Sequence, residues 1–314
     1  MLWLFQQFSP PPTPPNLPAD YHALRAVWLG VTWVMDAHTE SEIQALATDL
    51  QAHRIQYGFV YMSYLKPDDT FNPTFEHAAT FVRHFHAAAP EITLLGWIGI
   101  PTQITTPNGH YMENRLESKE TQVAIAVFSE RIVEEWGFDG IHLDAEPVRT
   151  DDPAFINTLQ AIREAIPAES ILSIAVPALQ VTQAITSIPY PRSPYHWTPD
   201  YLNLVADYSD QIVVMAYDSG LFLPADYRAW MAYQVEAAAS ALDDNPAELL
   251  IGVPVSEEWT PSHQTHTEYL ANALYGVQAA LAENATVRRN VAGIAIYPYW
   301  ETDEQEWDLL DQFP

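Results

Sequence analysis

Eight short apolar runs recur along the chain, and the segments between them have a different period. The runs are AVWLGVTWV (26–34), YGFVYMSYL (57–65), ITLLGWIGI (92–100), GIHLDAE (140–146), ILSIAVPA (171–178), QIVVMAY (211–217), LLIGVPV (249–255) and VAGIAIYPY (291–299). They are rich in β-branched and aromatic residues. They are nearly continuous rather than strictly alternating, as expected of parallel strands covered on both faces. The intervening segments carry helical spacing. "HTESEIQALATDLQAH" opens with Thr39 and Glu42 at capping-box separation, and Ala-rich helical patterns follow around 120–136, 153–166, 225–242 and 268–283. Eight strands alternating with helices over roughly 290 residues predict an α/β fold, a single-domain (β/α)8 TIM barrel without an inserted α+β subdomain. A doubly wound open sheet is the competing arrangement. The eightfold repeat favours closure, and no G-x-G-x-x-G follows the first strand.

In a closed barrel, Asp36, Asp144, Glu146, Asp218, Glu257 and Trp300 fall at or just past the carboxyl ends of their strands, the face that carries the active site. Ahead of the first strand, "SPPPTPPNLP" (9–18) reads as an extended, semi-rigid segment. The chain therefore divides into a Pro-rich tail or linker over 1–22 and the barrel over 23–314. The loops after strands two, three and seven are short to moderate, which predicts a shallow, open cleft.

Composition narrows the function. The 314 residues hold 13 basic and 41 acidic side chains, a formal charge of −28. Such a surface repels nucleic acid, anionic membranes and polyanionic polysaccharides, and Arg288-Arg289 is the densest basic spot. The absence of cysteine excludes disulfides, thiolate catalysis and Cys-based zinc sites. No apolar run approaches the ~20 residues that span a bilayer, so the chain reads as soluble. MLWLFQQF lacks the basic flank of a signal peptide, which leaves the location open.

The candidate chemistry lies in "FDGIHLDAEP" (138–147). Alternation puts His142, Asp144 and Glu146 on one face of the strand and Ile141 and Leu143 on the other. The Cα atoms of Asp144 and Glu146 are then about 6.6 Å apart. With Asp144 ionised, Glu146 holds its proton more tightly and suits a general acid near neutral pH. The plain alternative is that these acids cap the next helix or pair with Arg149. Both carboxylates approach a substrate from one side, whereas a common retaining glycosidase sets acid and nucleophile on opposite sides. If a glycoside is cleaved, the nucleophile comes from elsewhere, the substrate included. His142, Asp144 and Glu146 could instead ligate a divalent metal, although no second cluster on another strand completes such a site.

"DGIHLDAE" resembles the DGxDxDxE signature of glycoside hydrolase family 18, at Asp139, Gly140, Asp144 and Glu146. "SIAVPA", "SDQIVVMAYD" and "LLIGVPV" are similar to that family's fifth, sixth and seventh strands, so the resemblance runs from about 24 to 312. It implies a chitinase-like or endo-β-N-acetylglucosaminidase-like hydrolase of neutral N-acetylated glycans that needs neither cofactor nor metal. Glu146 would protonate the leaving oxygen, and the substrate's acetamido carbonyl would attack the anomeric carbon. Asp144 would orient the acetamido N–H, Tyr217 would bond its carbonyl, and Asp218 would hold the distorted sugar. His142 stands where the family has an acid; it is expected to partner Asp144, contact substrate and titrate near pH 6–7. "LLGWIGI" lacks the family's S-x-G-G. Tyr297 occupies the place of the family's last-strand tryptophan, with Trp300 three residues on; both, with Trp97, are candidate sugar-stacking rings. A carbohydrate-binding protein without catalysis is the alternative function, and a metal-dependent hydrolase the third.

Overall fold

All eight runs form strands in the computed structural model, which describes residues 11–106, 108–187 and 189–314; MLWLFQQF lies outside them. The strands are β1 (Leu24–Leu29), β2 (Tyr57–Tyr64), β3 (Thr93–Pro101), β4 (Gly140–Glu146), β5 (Ile171–Val176), β6 (Gln211–Met215), β7 (Glu248–Pro254) and β8 (Val291–Tyr297). Each pairs in parallel with its neighbours in sequence, and β1 pairs with β8, which closes the barrel. The first run was expected to stay extended to 34. It ends at Leu29, and Thr32–Met35 turns as a single helical turn after Gly30. The chain leaves the rim there, where the Trp300 indole lies 3.4 Å from the place a Gly30 Cβ would take.

The helices are α1 (Glu40–Ala52), α2 (Ala78–Ala88), α3 (Lys119–Glu134), α4 (Pro153–Ala165), α5 (Pro199–Ala206), α6 (Pro224–Ala241), α7 (Leu270–Glu283) and α8 (Glu304–Gln312). Local chemistry sets several starts. Thr39 and Glu42 form the expected capping box, and Asp303 with Glu306 forms another ahead of α8. Asp152 and Thr198 cap helices whose first residue is proline, where a missing N–H costs nothing.

Strand alternation separates two apolar layers. Ile141 and Leu143 point outward with the main core between sheet and helices, while Trp28, Phe59, Leu95, Val213 and Leu250 pack inside the barrel. Gly140 and Gly293 allow neighbouring strands to pass closely: a Cβ would lie 2.0 Å from the Ile171 oxygen at the first and 1.9 Å from the Leu24 oxygen at the second. At the amino-terminal end, the buried Arg25 donates to the carbonyls of Leu310 and Phe313, tying α8 to β1. Residues 11–18 form neither helix nor strand, and they run beside Leu274, Leu309 and Phe313 of the outer helical layer. At the carboxyl-terminal face, a two-stranded hairpin (Ile104–Thr105 with Tyr111–Met112) follows β3, and the segment 177–198 follows β5. Among the described residues, no helix is long and apolar enough to cross a membrane.

Candidate active site

The carboxyl-terminal face holds a cavity of about 300 Å3, at the small end of the roughly 300–1,000 Å3 range of ligand pockets. Asp144, Glu146, Tyr217, Asp218, Tyr297 and Trp97 all line it. β4 supplies the two acids, β3 and β8 supply Trp97 and Tyr297, and the turn after β6 supplies Tyr217 and Asp218. Asp36 and Glu257 lie on the rim but outside this lining.

Glu146 lies at the end of β4 with its side chain open to the cleft. Its backbone is pinned from β3: the Thr102 N–H donates to the Glu146 carbonyl at 2.8 Å and the Thr102 hydroxyl to the Pro147 carbonyl at 2.6 Å. The low-polarity surroundings raise its affinity for a proton, with Asp144 and then Asp218 adding to the effect. Water in the open cleft offsets part of that burial, and the direction remains upward. Asp144 sits deeper. Its Oδ2 accepts from the Trp97 indole N–H at 3.0 Å, while the buried Oδ1 has no hydrogen-bond partner among the described residues. Burial raises Asp144 as well, and the Trp97 bond opposes the rise. Two acids on one strand therefore share a tendency to keep a proton, and Glu146 is the more strongly affected.

His142 occupies a different layer from the one expected. Its side chain is fully buried, stacked on Phe59 with ring centroids 3.9 Å apart. The Trp28 indole donates to Nε2 at 3.1 Å, so the ring proton resides on Nδ1 and points to the Ser173 hydroxyl at 2.9 Å. Ser173 donates to Gln211 Oε1 at 2.7 Å, and the Gln211 amide donates to Glu248 at 2.8 Å. Burial lowers the imidazole to about 3. The expected contact with substrate and the expected titration near pH 6–7 are thus corrected: His142 is a neutral link in the barrel interior. With both nitrogens engaged, it offers no donor for a metal shared with Asp144 and Glu146.

Tyr217 and Tyr297 stack 5.4 Å apart at 13°. Burial pushes Tyr217 well above the ordinary tyrosine value and Tyr297 up to about 12, so both stay protonated. Trp300, 50% exposed, lies outside the acidic cavity; it borders an adjoining apolar groove that includes Trp33, Tyr61, Trp97 and Tyr297. Asp218 occupies left-handed backbone at φ 57° and pairs with His263 at 3.1 Å. His263 also lies 3.7 Å from the fully buried Glu268.

Several of these residues were not singled out in the sequence. Tyr190, Tyr195 and His196 come from the segment 177–198, which carries no periodic pattern. Trp28 reads as a core aromatic, and it does fill the core while its N–H fixes His142. "HQTHTE" (263–268), with two histidines and an acid just beyond a strand end, was the signal for His263 and Glu268.

The family model described as Glycosyl hydrolases family 18 matches residues 37–314. No curated protein matches the chain in sequence. Solved structures do. The spore cortex-lytic enzyme SleL of Bacillus cereus superposes with a TM-score of 0.59 at 14% identity, over 93% of this chain and 74% of that one. A class V chitinase from Pseudomonas fluorescens gives 0.57 at 15% identity, over 92% and 98%. A chitinase from Bacteroides thetaiotaomicron gives 0.56 at 13%, over 93% and 94%. At these identities the likeness is one of fold.

Proposed function

Since this chain belongs to glycosyl hydrolases family 18 and is thereby a glycoside hydrolase, we propose that it cleaves β-linked N-acetylglucosamine glycans of the chitin, peptidoglycan or N-glycan type with net retention. Glu146 donates its proton to the glycosidic oxygen as the bond to the anomeric carbon breaks. The carbonyl oxygen of the substrate's own acetamido group closes on that carbon and gives an oxazolinium ion. Water then attacks the same carbon, the oxazolinium ring opens, and the Glu146 carboxylate takes up the water's proton.

The observation that carries this reading is the unpartnered Oδ1 of Asp144 beside a proton-retaining Glu146. A buried carboxylate oxygen without a donor is costly. An acetamido N–H placed next to Glu146 supplies the donor and orients the carbonyl for attack. Tyr217, kept protonated by burial, is the donor to that carbonyl, and Asp218 holds the reacting sugar. Trp97 serves by orienting Asp144, and Tyr297 offers a ring face to the sugar. Trp300 stacks on a neighbouring sugar from the adjoining groove.

Release of 4-methylumbelliferone from di- and tri-N-acetylchitooligosaccharide conjugates tests the proposal. Wild-type protein is expected to turn over, indifferent to EDTA, and Glu146→Gln to lose roughly 10²–10⁴-fold in kcat. Oligosaccharide binding without turnover would convert the assignment to a lectin.

A further inference from the structure

We propose that His263 and Glu268, on the segment after β7, form a positioning pair that fixes the Asp218 carboxylate and the turn presenting it to the cleft. The inference rests on the role given above to Asp218 at the reacting sugar.

The turn needs holding. Asp218 and Gly220 both occupy left-handed backbone, at φ 57° and 68°, which glycine adopts freely and aspartate only at a cost. Glu268 supplies the anchor: its Oε1 accepts from the Ser219 hydroxyl at 2.9 Å and the Gly220 N–H at 3.1 Å, and its Oε2 from the Ser219 N–H at 3.1 Å. The Ser262 carbonyl accepts from the same Gly220 N–H at 2.7 Å. Tyr190, from the segment after β5, donates to the Ser219 carbonyl at 3.1 Å. Two carboxyl-end segments, after β5 and after β7, thus converge on the turn that follows β6.

Glu268 is fully buried, and a buried carboxylate requires a compensating charge. His263 provides it. Its Nε2 lies 3.0 Å from the Ser256 carbonyl, an acceptor only, so that nitrogen carries a proton. Its Nδ1 faces two carboxylates, Asp218 at 3.1 Å and Glu268 at 3.7 Å, so it carries the second. Burial alone lowers the imidazole, but Asp218 and Glu268 overcome it and raise it to about 10. The other titratable groups facing this cluster are Glu146, whose hold on its proton Asp218 strengthens, and Tyr217, Tyr297, Tyr190 and Tyr227, all kept protonated by burial. Tyr227 donates to the Ala216 carbonyl at 3.0 Å. The side chain of Asp218, half exposed, is therefore gripped on one side by a cation and open to the cleft on the other.

The test combines a spectroscopic and a kinetic readout. By 15N NMR, His263 in the wild-type protein is expected to be doubly protonated at pH 7, and Asp218→Asn to lower its titration midpoint by a unit or more. His263→Asn, which retains a donor near Nδ1 without the charge, should lower kcat tenfold or more with KM changed less than threefold. In the Asp218→Asn background the same substitution should cost less than twofold, because its effect runs through Asp218. A neutral His263 at pH 7, or equal losses in both backgrounds, would overturn the inference. If wild-type protein fails to turn over, the glycosidase reading fails, and the response of His263 to Asp218→Asn then decides the positioning inference alone. The same NMR comparison decides it if His263→Asn does not fold.

Discussion

The reactivity of this site comes from where single side chains sit in polarity. In the proposed reaction Glu146 acts as an acid in its protonated form, and burial, then Asp144 and Asp218, hold the proton on it. Activity is lost as pH rises through that raised value, so the alkaline limb of kcat should lie well above the ordinary glutamate range. The same proposal needs Asp144 as a carboxylate, and burial raises it too, so the acid limb should lie above the ordinary aspartate range. His142, lowered to about 3, adds no step between the limbs. Trp97→Phe removes a donor to the charged form of Asp144. It should move the acid limb to higher pH and lower kcat roughly 10–100-fold, the value of a hydrogen bond to a charged group. The raised Glu146 also opposes folding: at pH 8 the unfolded chain loses this proton more readily than the folded one. Glu146→Gln should therefore raise the melting temperature at pH 8 and leave it nearly unchanged at pH 4, a comparison readable by calorimetry.

Strand register decides which of these residues can meet, and register is also what the sequence reveals best. Period-two alternation from Gly140 to Glu146 puts Ile141 and Leu143 in the outer core and the polar side chains inside. Both follow from a period and a boundary. Depth along the strand is harder to read, because it depends on partners from other strands. Trp97 lies opposite His142 in register yet reaches up to Asp144, while Trp28 of β1 descends to claim His142. Neither choice of partner leaves a local pattern. The wall made by Tyr190, Tyr195 and His196 was likewise illegible, since an aperiodic segment encodes its path only through tertiary contacts. Gly140 shows the opposite case, a motif residue with a purely structural reason. Gly140→Ala would force a Cβ to within 2.0 Å of the Ile171 oxygen, and it should destabilise the barrel by at least roughly 3 kcal/mol in chemical denaturation. Gly30→Ala meets only the Trp300 ring at 3.4 Å and should cost much less.

Across the whole molecule, the formal charge of −28 spreads over a barrel closed by β1 and β8, with Arg25 tying β1 to the carboxyl-terminal helix. Self-repulsion of that charge opposes the compact state, and salt screens it over about 10 Å at 0.1 M. Raising NaCl from about 10 mM to about 300 mM should raise the melting temperature. The same field disfavours polyanions at the cleft, which agrees with the neutral N-acetylated glycans proposed as substrates. In the proposed reaction the substrate's acetamido group, with Glu146 as acid and base, performs the displacement. The anomer first released from a chitooligosaccharide, followed by proton NMR, decides it. Retention gives the β-anomer first, followed by slow mutarotation; an α-anomer first, or no cleavage, would rule the displacement out.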